Sequence, residues 1–399
     1  MDQVLAPIPP HVPPALVRDV LWSDVDGETD PYDHWKKFHT YPDIFYTPRG
    51  GGHWVATRHE DLEYIVNHPE DFSSRHETMP PNPFVLPLLE YDGKIHQDFR
   101  NMLAMFFTPK HIGNLEKIAR ELTISLIEGF RQKGECEFMS EFAQRMPIII
   151  ILNLLGLDPE DRPYLFQISE EIVRSNDPQI KATAFARLGQ YIREKVIPAR
   201  RATPGNDVFS AVMAAKVDGG RAVTEDEIVG LGTLLIAAGL DTVTAMLGFI
   251  TRFLAGHPVH RQQLLDDPGL INDALEEMLR RFHISNVARV VARDLEYKGI
   301  QFKAGDDILI PLSTAGIDPR RYDAPFTVDF KRGDKKTLVF GRGPHQCLGA
   351  MLARTELRVF LQEWLTRIPH FEIKAGEKPV TVVGSTNGLL YLPLTWQRA

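Results

Sequence analysis

Phe340-Gly341-Arg342-Gly343-Pro344-His345-Gln346-Cys347-Leu348-Gly349 is the most informative decapeptide of the chain. Gly341, Gly343 and Pro344 bar a regular helix ahead of the cysteine and let the backbone approach another group closely. Helical spacing resumes just after Cys347. That places free N–H groups and the positive end of a helix dipole beside the sulfur, favouring thiolate over thiol. A thiolate on a tight loop suits a metal ligand better than an inert core thiol. No second Cys-x-x-Cys or paired His accompanies it, so nothing supports a zinc site. One thiolate alone points to a metal held mostly by something else, such as a porphyrin.

Around this loop the composition is ordinary. The 399 residues carry 45 Lys+Arg against 53 Asp+Glu, a net charge of −8, with 43% hydrophobic and 25% charged residues. These are globular values, and the net acidity argues against nucleic acid as the main partner. No membrane crossing is expected, because the best apolar run, Ile148 to Leu155, is short and is interrupted by Asn153. Asp2, Gln3 and the prolines that follow do not read as a secretory leader, so a cytoplasmic location is expected. The other cysteine, Cys136, sits in an exposed-looking Gly-Glu-Cys-Glu segment and reads as a bystander rather than half of a disulfide.

Prolines 7, 9, 10, 13 and 14 read as an extended arm within the first 40 residues. Ile44-Phe45-Tyr46 and Trp54-Val55-Ala56, on either side of a glycine run, suggest two strands and a turn. The glycines lack the Lys-Ser/Thr of a phosphate loop. Thr57 and Glu60 have capping-box spacing, and helical periodicity follows near 93–106, 113–131, 138–155, 160–175 and 181–202. Thr224 and Glu227 form a second capping box. It opens an apolar stretch to about His257 that predicts an interior helix of more than 30 residues, about 45 Å long. Short β-type runs follow Phe282, then a helix over 348–367 and closing strands from Phe371 to Leu394. No linker or repeat divides the chain, so one domain over 1–399 is expected, mainly α with a minor β portion.

Phe340, Gly343, Cys347 and Gly349 match the Phe-x-x-Gly-x-x-x-Cys-x-Gly haem signature, and the chain resembles the cytochrome P-450 superfamily from about residue 40 to its end. Within it the chain looks like the bacterial terpenoid hydroxylases of the camphor 5-monooxygenase type, through Gly51 to Arg58, Gly239 to Val243, Glu276 to Phe282 and Glu363 to Pro369. The resemblance implies a fold with a long central helix over haem b (iron protoporphyrin IX) and Cys347 as the axial metal ligand. It also implies a monomer that uses O2, with electrons from a [2Fe-2S] ferredoxin and an NADH-dependent ferredoxin reductase. The basic run Lys331, Arg332, Lys335, Lys336 and Arg342 would face that acidic donor.

Further residues match the family's positions. His96, Arg100, Arg289 and His345 would bind the haem propionates, cations facing carboxylates. Gly239 lies in the long helix ahead of an acid–alcohol pair, Asp241 and Thr242. The implied reading is a local opening of the helix, a small residue making room for dioxygen, and protons relayed through Asp241 and Thr242. Glu277 and Arg280, at i,i+3, would ordinarily be a solvated helix pair, but in the family they are buried and structural. Where many members carry an Arg just before the Phe at position 330, this chain has Asp329, leaving the third partner unassigned.

Substrate-facing candidates are Phe84, Val85, Leu86, Leu234, Ala237, Val287, Ser385 and Thr386. In the camphor-hydroxylating relative a tyrosine in the first of these segments holds the ketone. Here Pro81 to Leu89 has none, and Tyr91 is displaced towards the next helix. The expected reaction is hydroxylation of an unactivated C–H of a small hydrophobic substrate, a terpenoid or ionone-type norisoprenoid. The alternatives are a haem-thiolate peroxygenase and a non-catalytic haem sensor.

Overall fold

Thr224 accepts from the Glu227 N–H (3.2 Å) while the Glu227 carboxylate accepts from the Thr224 N–H (2.8 Å), closing the capping box that sequence spacing predicts. It starts the helix around which everything else is built. The computed structural model describes residues 5–79, 85–174 and 178–398. Its helices used below are α1 (Pro31–Phe38), α2 (His59–Asn67), α3 (Gly93–Ala104), α4 (Pro109–Arg131), α5 (Arg145–Leu154), α6 (Pro178–Tyr191), α7 (Glu225–Gly256), α8 (Ile271–Arg281) and α9 (Ala350–Arg367). The strands are β1 (Ile44–Thr47), β2 (His53–Ala56), β3 (Phe72–Ser73), β4 (Glu135–Glu137), β5 (Asn286–Val291), β6 (Asp307–Pro311), β7 (Glu372–Ile373), β8 (Val380–Val382), β9 (Gly388–Tyr391) and β10 (Pro393–Thr395). The protein is mainly helical with a minor β portion, as expected.

The 32 residues of α7 have a stretch with mean hydropathy 1.8, long and apolar enough to cross a membrane by length and composition. This corrects the expectation drawn from Ile148 to Leu155. Yet 72% of that stretch is buried inside the protein, so neighbouring helices rather than lipid satisfy it. Glycines that cost a helix about 1 kcal/mol each serve as notches here. A Cβ on Gly239 would lie 2.8 Å from Ile151 of α5, and one on Gly248 would lie 3.1 Å from the Met139 sulfur.

The main sheet runs β1-β2-β6-β5-β3. β6 lies parallel to β2 (Ile308 opposite Trp54) and antiparallel to β5 (Ile308 opposite Arg289). β7, β10 and β4 form a second small sheet, and β8 with β9 a hairpin. Two local readings change. The Thr57 hydroxyl donates to the Asp43 carbonyl (3.1 Å) instead of capping α2, whose His59 N–H donates to distant Asp318 (2.9 Å). Cys136 is buried in β4 opposite Leu394, not exposed, and burial pushes its thiol pKa up.

His53 on β2 is 1% exposed, and neither ring nitrogen has a partner among the described residues. Burial lowers its pKa to about 4. The unfolded chain, with a value near 6.5, therefore binds the proton first as pH falls. The folded state is at full strength above about pH 6.5 and loses about 2 kcal/mol to this one residue by about pH 5. His53→Phe should remove that loss, so urea midpoints of the variant and wild type should diverge on acidification. Parallel pH curves would show that His53 does not titrate in this window.

Candidate active site

α7 on one side and residues 339–357 on the other enclose a cavity with about 1620 Å³ of empty space, part of it continuous with solvent. Leu234, Ala238, Gly239 and Thr242 line it from α7, and Val287 and Arg289 from β5. Phe340, His345, Cys347 and Gly349 line it from the opposite loop. The loop is shaped by its own backbone. The Cys347 N–H donates to the Phe340 carbonyl (2.8 Å), and Gly343 has φ +69°, a left-handed conformation that favours glycine. A Cβ on Gly343 would also meet the Val66 carbonyl at 2.8 Å, so α2 seats directly on this turn.

Cys347 is exposed towards the cavity, and desolvation by the cavity wall raises the pKa of its thiol against the opposing pull of the Gly349 N–H, Arg100 and Arg354. Arg354 stacks over Phe340 (4.5 Å to the ring centre) and pairs with Glu276 (2.6 Å), bracing this side of the loop.

At the cavity's edge His96, 2% exposed, stacks on His345 with ring centres 4.0 Å apart. His345 shares a proton with Asp92 (Nε2 to Oδ1, 3.0 Å), which also accepts from the Ser73 hydroxyl (2.6 Å) and the Ser74 N–H (3.0 Å). Burial disfavours the Asp92 carboxylate, but bonds from His345 and Ser73 outweigh it and hold its pKa low. Burial, with repulsion from His345 and Arg100, drops His96 to about 4, and its Nε2 has no partner among the described residues. Arg100 and Arg289 face the same cavity. Two guanidinium groups, a neutral imidazole with an unpaired nitrogen and a cysteine sulfur on the opposing loop fit a porphyrin bearing carboxylates.

Across the cavity Thr242 donates its hydroxyl to the Ala238 carbonyl one turn back (2.8 Å). The helix is unbroken α from Glu225 to Gly256, so the expected opening is absent from this segment. Gly239 reaches the cavity, but the space of its missing Cβ is filled by Ile151. Helix packing therefore demands a glycine at this position. Desolvation raises the pKa of Asp241, opposed by the nearby Thr386 side chain and the charge of Lys181 on α6.

The substrate candidates divide. Leu234 and Val287 line the cavity. Phe84 lies outside the described residues. Val85 is 49% exposed with its carbonyl against Gly230, and Leu86 caps the short helix Pro87–Glu90, whose Leu88 and Leu89 line the cavity instead. Ala238 takes the place expected of Ala237, and Ser285 that of Ser385 and Thr386. Tyr91 donates to Glu227 (3.0 Å) and is absent from the wall.

Glu277 and Arg280 are both wholly buried and joined by two bonds of 2.8 and 2.9 Å. Arg332 supplies the unassigned third group at 3.0 Å from Glu277, while Asp329 contributes only its N–H (3.0 Å). Arg332 and Lys335, the latter paired with Asp273 (2.7 Å), are thereby withdrawn from the basic run. Lys331 and Lys336 stay exposed, and Arg342 pairs loosely with Glu63 (3.2 Å).

Residue patterns gave no warning of two acids in the cavity wall, half-buried Glu77 and buried Glu356. Burial raises Glu77 to about 7 against the pull of Arg289, and raises Glu356 well above the carboxylate range. Asp92 was legible in principle, four residues before His96.

A family model described as Cytochrome P450 matches residues 165–395. The probable cytochrome P450 127A1 of Sinorhizobium fredii is 35% identical, covering 98% of this chain and 97% of its own length. The steroid C26-monooxygenase of Mycobacterium tuberculosis is 30% identical over 86% of this chain and 94% of its own. The crystal structure of CYP101J2 matches with a TM-score of 0.90 and 34% identity, covering 98% of this chain and 100% of that one. CYP101C1 matches with a TM-score of 0.89 and 32% identity over the same shares. With relatives matched along nearly their whole length around a cysteine-walled cavity, the chain belongs to the cytochrome P450 family of haem-thiolate monooxygenases.

Proposed function

We propose that this protein hydroxylates an unactivated C–H bond of a small terpenoid or ionone-type norisoprenoid, using O2 and two electrons from a [2Fe-2S] ferredoxin and its NADH-dependent reductase. One observation carries the reading: Cys347 and Thr242 face each other's side of one cavity whose walls are otherwise largely aliphatic. Haem, when bound, supplies dioxygen reduction and transfer of one oxygen atom to the substrate. Cys347 would hold its iron, and Arg100, Arg289, His96 and His345 its carboxylates.

The chain's own part is pose and proton timing. Leu88, Leu89, Leu234 and Val287 offer shape and no hydrogen-bond donor, which suits a hydrocarbon frame. Asp241 takes protons from the Lys181 side, and the Thr242 hydroxyl hands them into the cavity when it leaves the Ala238 carbonyl. This pair favours a monooxygenase over a peroxygenase or a sensor, neither of which needs a proton relay. Exposed Lys331 and Lys336 with Arg342 support an acidic donor on the Cys347 side.

With β-ionone as substrate, Thr242→Ala should keep consuming NADH while product per NADH falls roughly tenfold or more and hydrogen peroxide accumulates. Full coupling in the variant would refute the relay.

A further inference from the structure

The cavity wall formed by α7, β5 and the segments beside them is mostly aliphatic, and its polar groups mostly have a task already. In the reading above Arg100 and Arg289 meet the haem carboxylates, and the Thr242 hydroxyl donates back to Ala238 (2.8 Å). Glu77 has a part in neither. It follows β3, which pairs with β5 through Phe72 opposite Val291 and Ser73 opposite Val290. The chain then keeps to that strand. The Ala288 N–H donates to the Glu77 carbonyl (2.7 Å), between the cavity-lining residues Val287 and Arg289. The side chain of the preceding residue leaves the cavity, His76 bonding Asp307 on β6 (Nδ1 to Oδ1, 2.9 Å). Glu77 is thus fixed through its backbone, with a half-buried carboxyl in the same wall as Leu88, Leu89 and Leu234.

We propose that Glu77 is the polar anchor of the substrate cavity, and that the substrate it selects carries a hydroxyl group on an otherwise apolar frame of terpenoid size. The inference rests on the small-terpenoid reading above and narrows it. A carboxyl in an aliphatic wall is unfavourable unless a partner meets it, and a pocket for a plain hydrocarbon would be better served by one more leucine. Aliphatic walls with one placed polar group fix the orientation of a ligand that has one polar atom. Burial pushes the Glu77 carboxyl up to about 7, the charge of Arg289 opposing and that of Glu90 adding. Both charge states are therefore present near neutral pH, and a hydroxyl suits either: it donates to the carboxylate and accepts from the acid. A ketone suits only the acid.

The test measures Kd from the Soret shift for two pairs of ligands: β-ionol with the same frame lacking oxygen, and borneol with bornane. Comparing each variant with wild type on both members of a pair cancels the apolar contribution they share. Glu77→Leu should weaken each alcohol roughly tenfold and leave its hydrocarbon within about twofold, or tighter. Glu77→Gln still donates and accepts, and should hold the alcohols within about threefold of wild type. Ser285→Ala, which removes a hydroxyl from the same wall, should show no such selectivity. Haem content, read as the ratio of Soret to protein absorbance, should stay at the wild-type level in Glu77→Leu. Equal changes for alcohol and hydrocarbon in Glu77→Leu would overturn the anchor. So would an alcohol-specific loss in Ser285→Ala without one in Glu77→Leu. Loss of haem from Glu77→Leu would also overturn it, assigning Glu77 to Arg289 and the haem edge instead. The wild type separates the two levels. Wild-type shifts with no selectivity lost in Glu77→Leu refute only the anchor, whereas no shift with any of the four ligands refutes the terpenoid reading and the anchor with it.

Discussion

Cys347→Ser should abolish the thiolate-type Soret band of the reduced, CO-treated protein and lower hydroxylation on the order of 10³-fold, leaving far-UV circular dichroism unchanged. The size follows from what the sulfur supplies. A thiolate pushes electron density on to haem iron and favours O–O cleavage, and a serine hydroxyl does not replace it. The fold should survive because the loop is held by backbone: the bond from the residue-347 N–H to Phe340 and the seating of Gly343 on Val66 need no sulfur. Cys136 offers no substitute, being buried in β4 with its thiol pKa raised. A thiolate-type CO spectrum retained in Cys347→Ser would remove this residue from the site.

Glu277→Gln is the second large effect, and it falls on stability. The carboxylate meets Arg280 and Arg332 and accepts the Asp329 N–H with no water exposure on its side chain. Its amide cannot neutralise two guanidinium groups, of which that of Arg280 is wholly buried. Removing one partner of a buried pair costs about 3–5 kcal/mol, most of it the penalty of a stranded charge. Urea unfolding should show that loss, with the slope unchanged if only stability has altered. Arg280 also donates to the carbonyls of Pro325 (3.0 Å) and Thr327 (3.2 Å), so the segment leading to the cysteine loop should loosen first and haem retention should fall with it. A loss below about 1 kcal/mol would place the pair among solvated surface bridges.

These two sites differ in how far they could be read beforehand. The cysteine loop is contiguous, and its glycines, proline and following helix speak within ten residues. The Glu277–Arg280 pair is legible as a helix face, but its third member is not. Arg332 stands three positions beyond the place where an arginine was sought, and only the path of residues 323–332 around Arg280 brings it to Glu277. Gly239 shows the reverse case. The residue was singled out correctly as unusual in a helix, but its neighbour Ile151, 88 positions away, supplies the reason.

By itself the sequence determined what rests on neighbours within one turn or one strand. The capping box and apolar run make α7 a long interior helix, two short apolar runs around a glycine turn make β1 and β2, and the Phe-to-Gly signature makes Cys347 the centre of the assignment. Tertiary structure alone decided the stacking of His96 on His345, the withdrawal of Arg332 and Lys335 from the basic run, and the burial of Cys136. The physical reason is range. Capping, turn formation and amphipathic spacing act between residues a few positions apart. Partners 50 to 250 positions apart are chosen by which surfaces pack, and by the cost of leaving a buried charge or hydroxyl unpaired once they have.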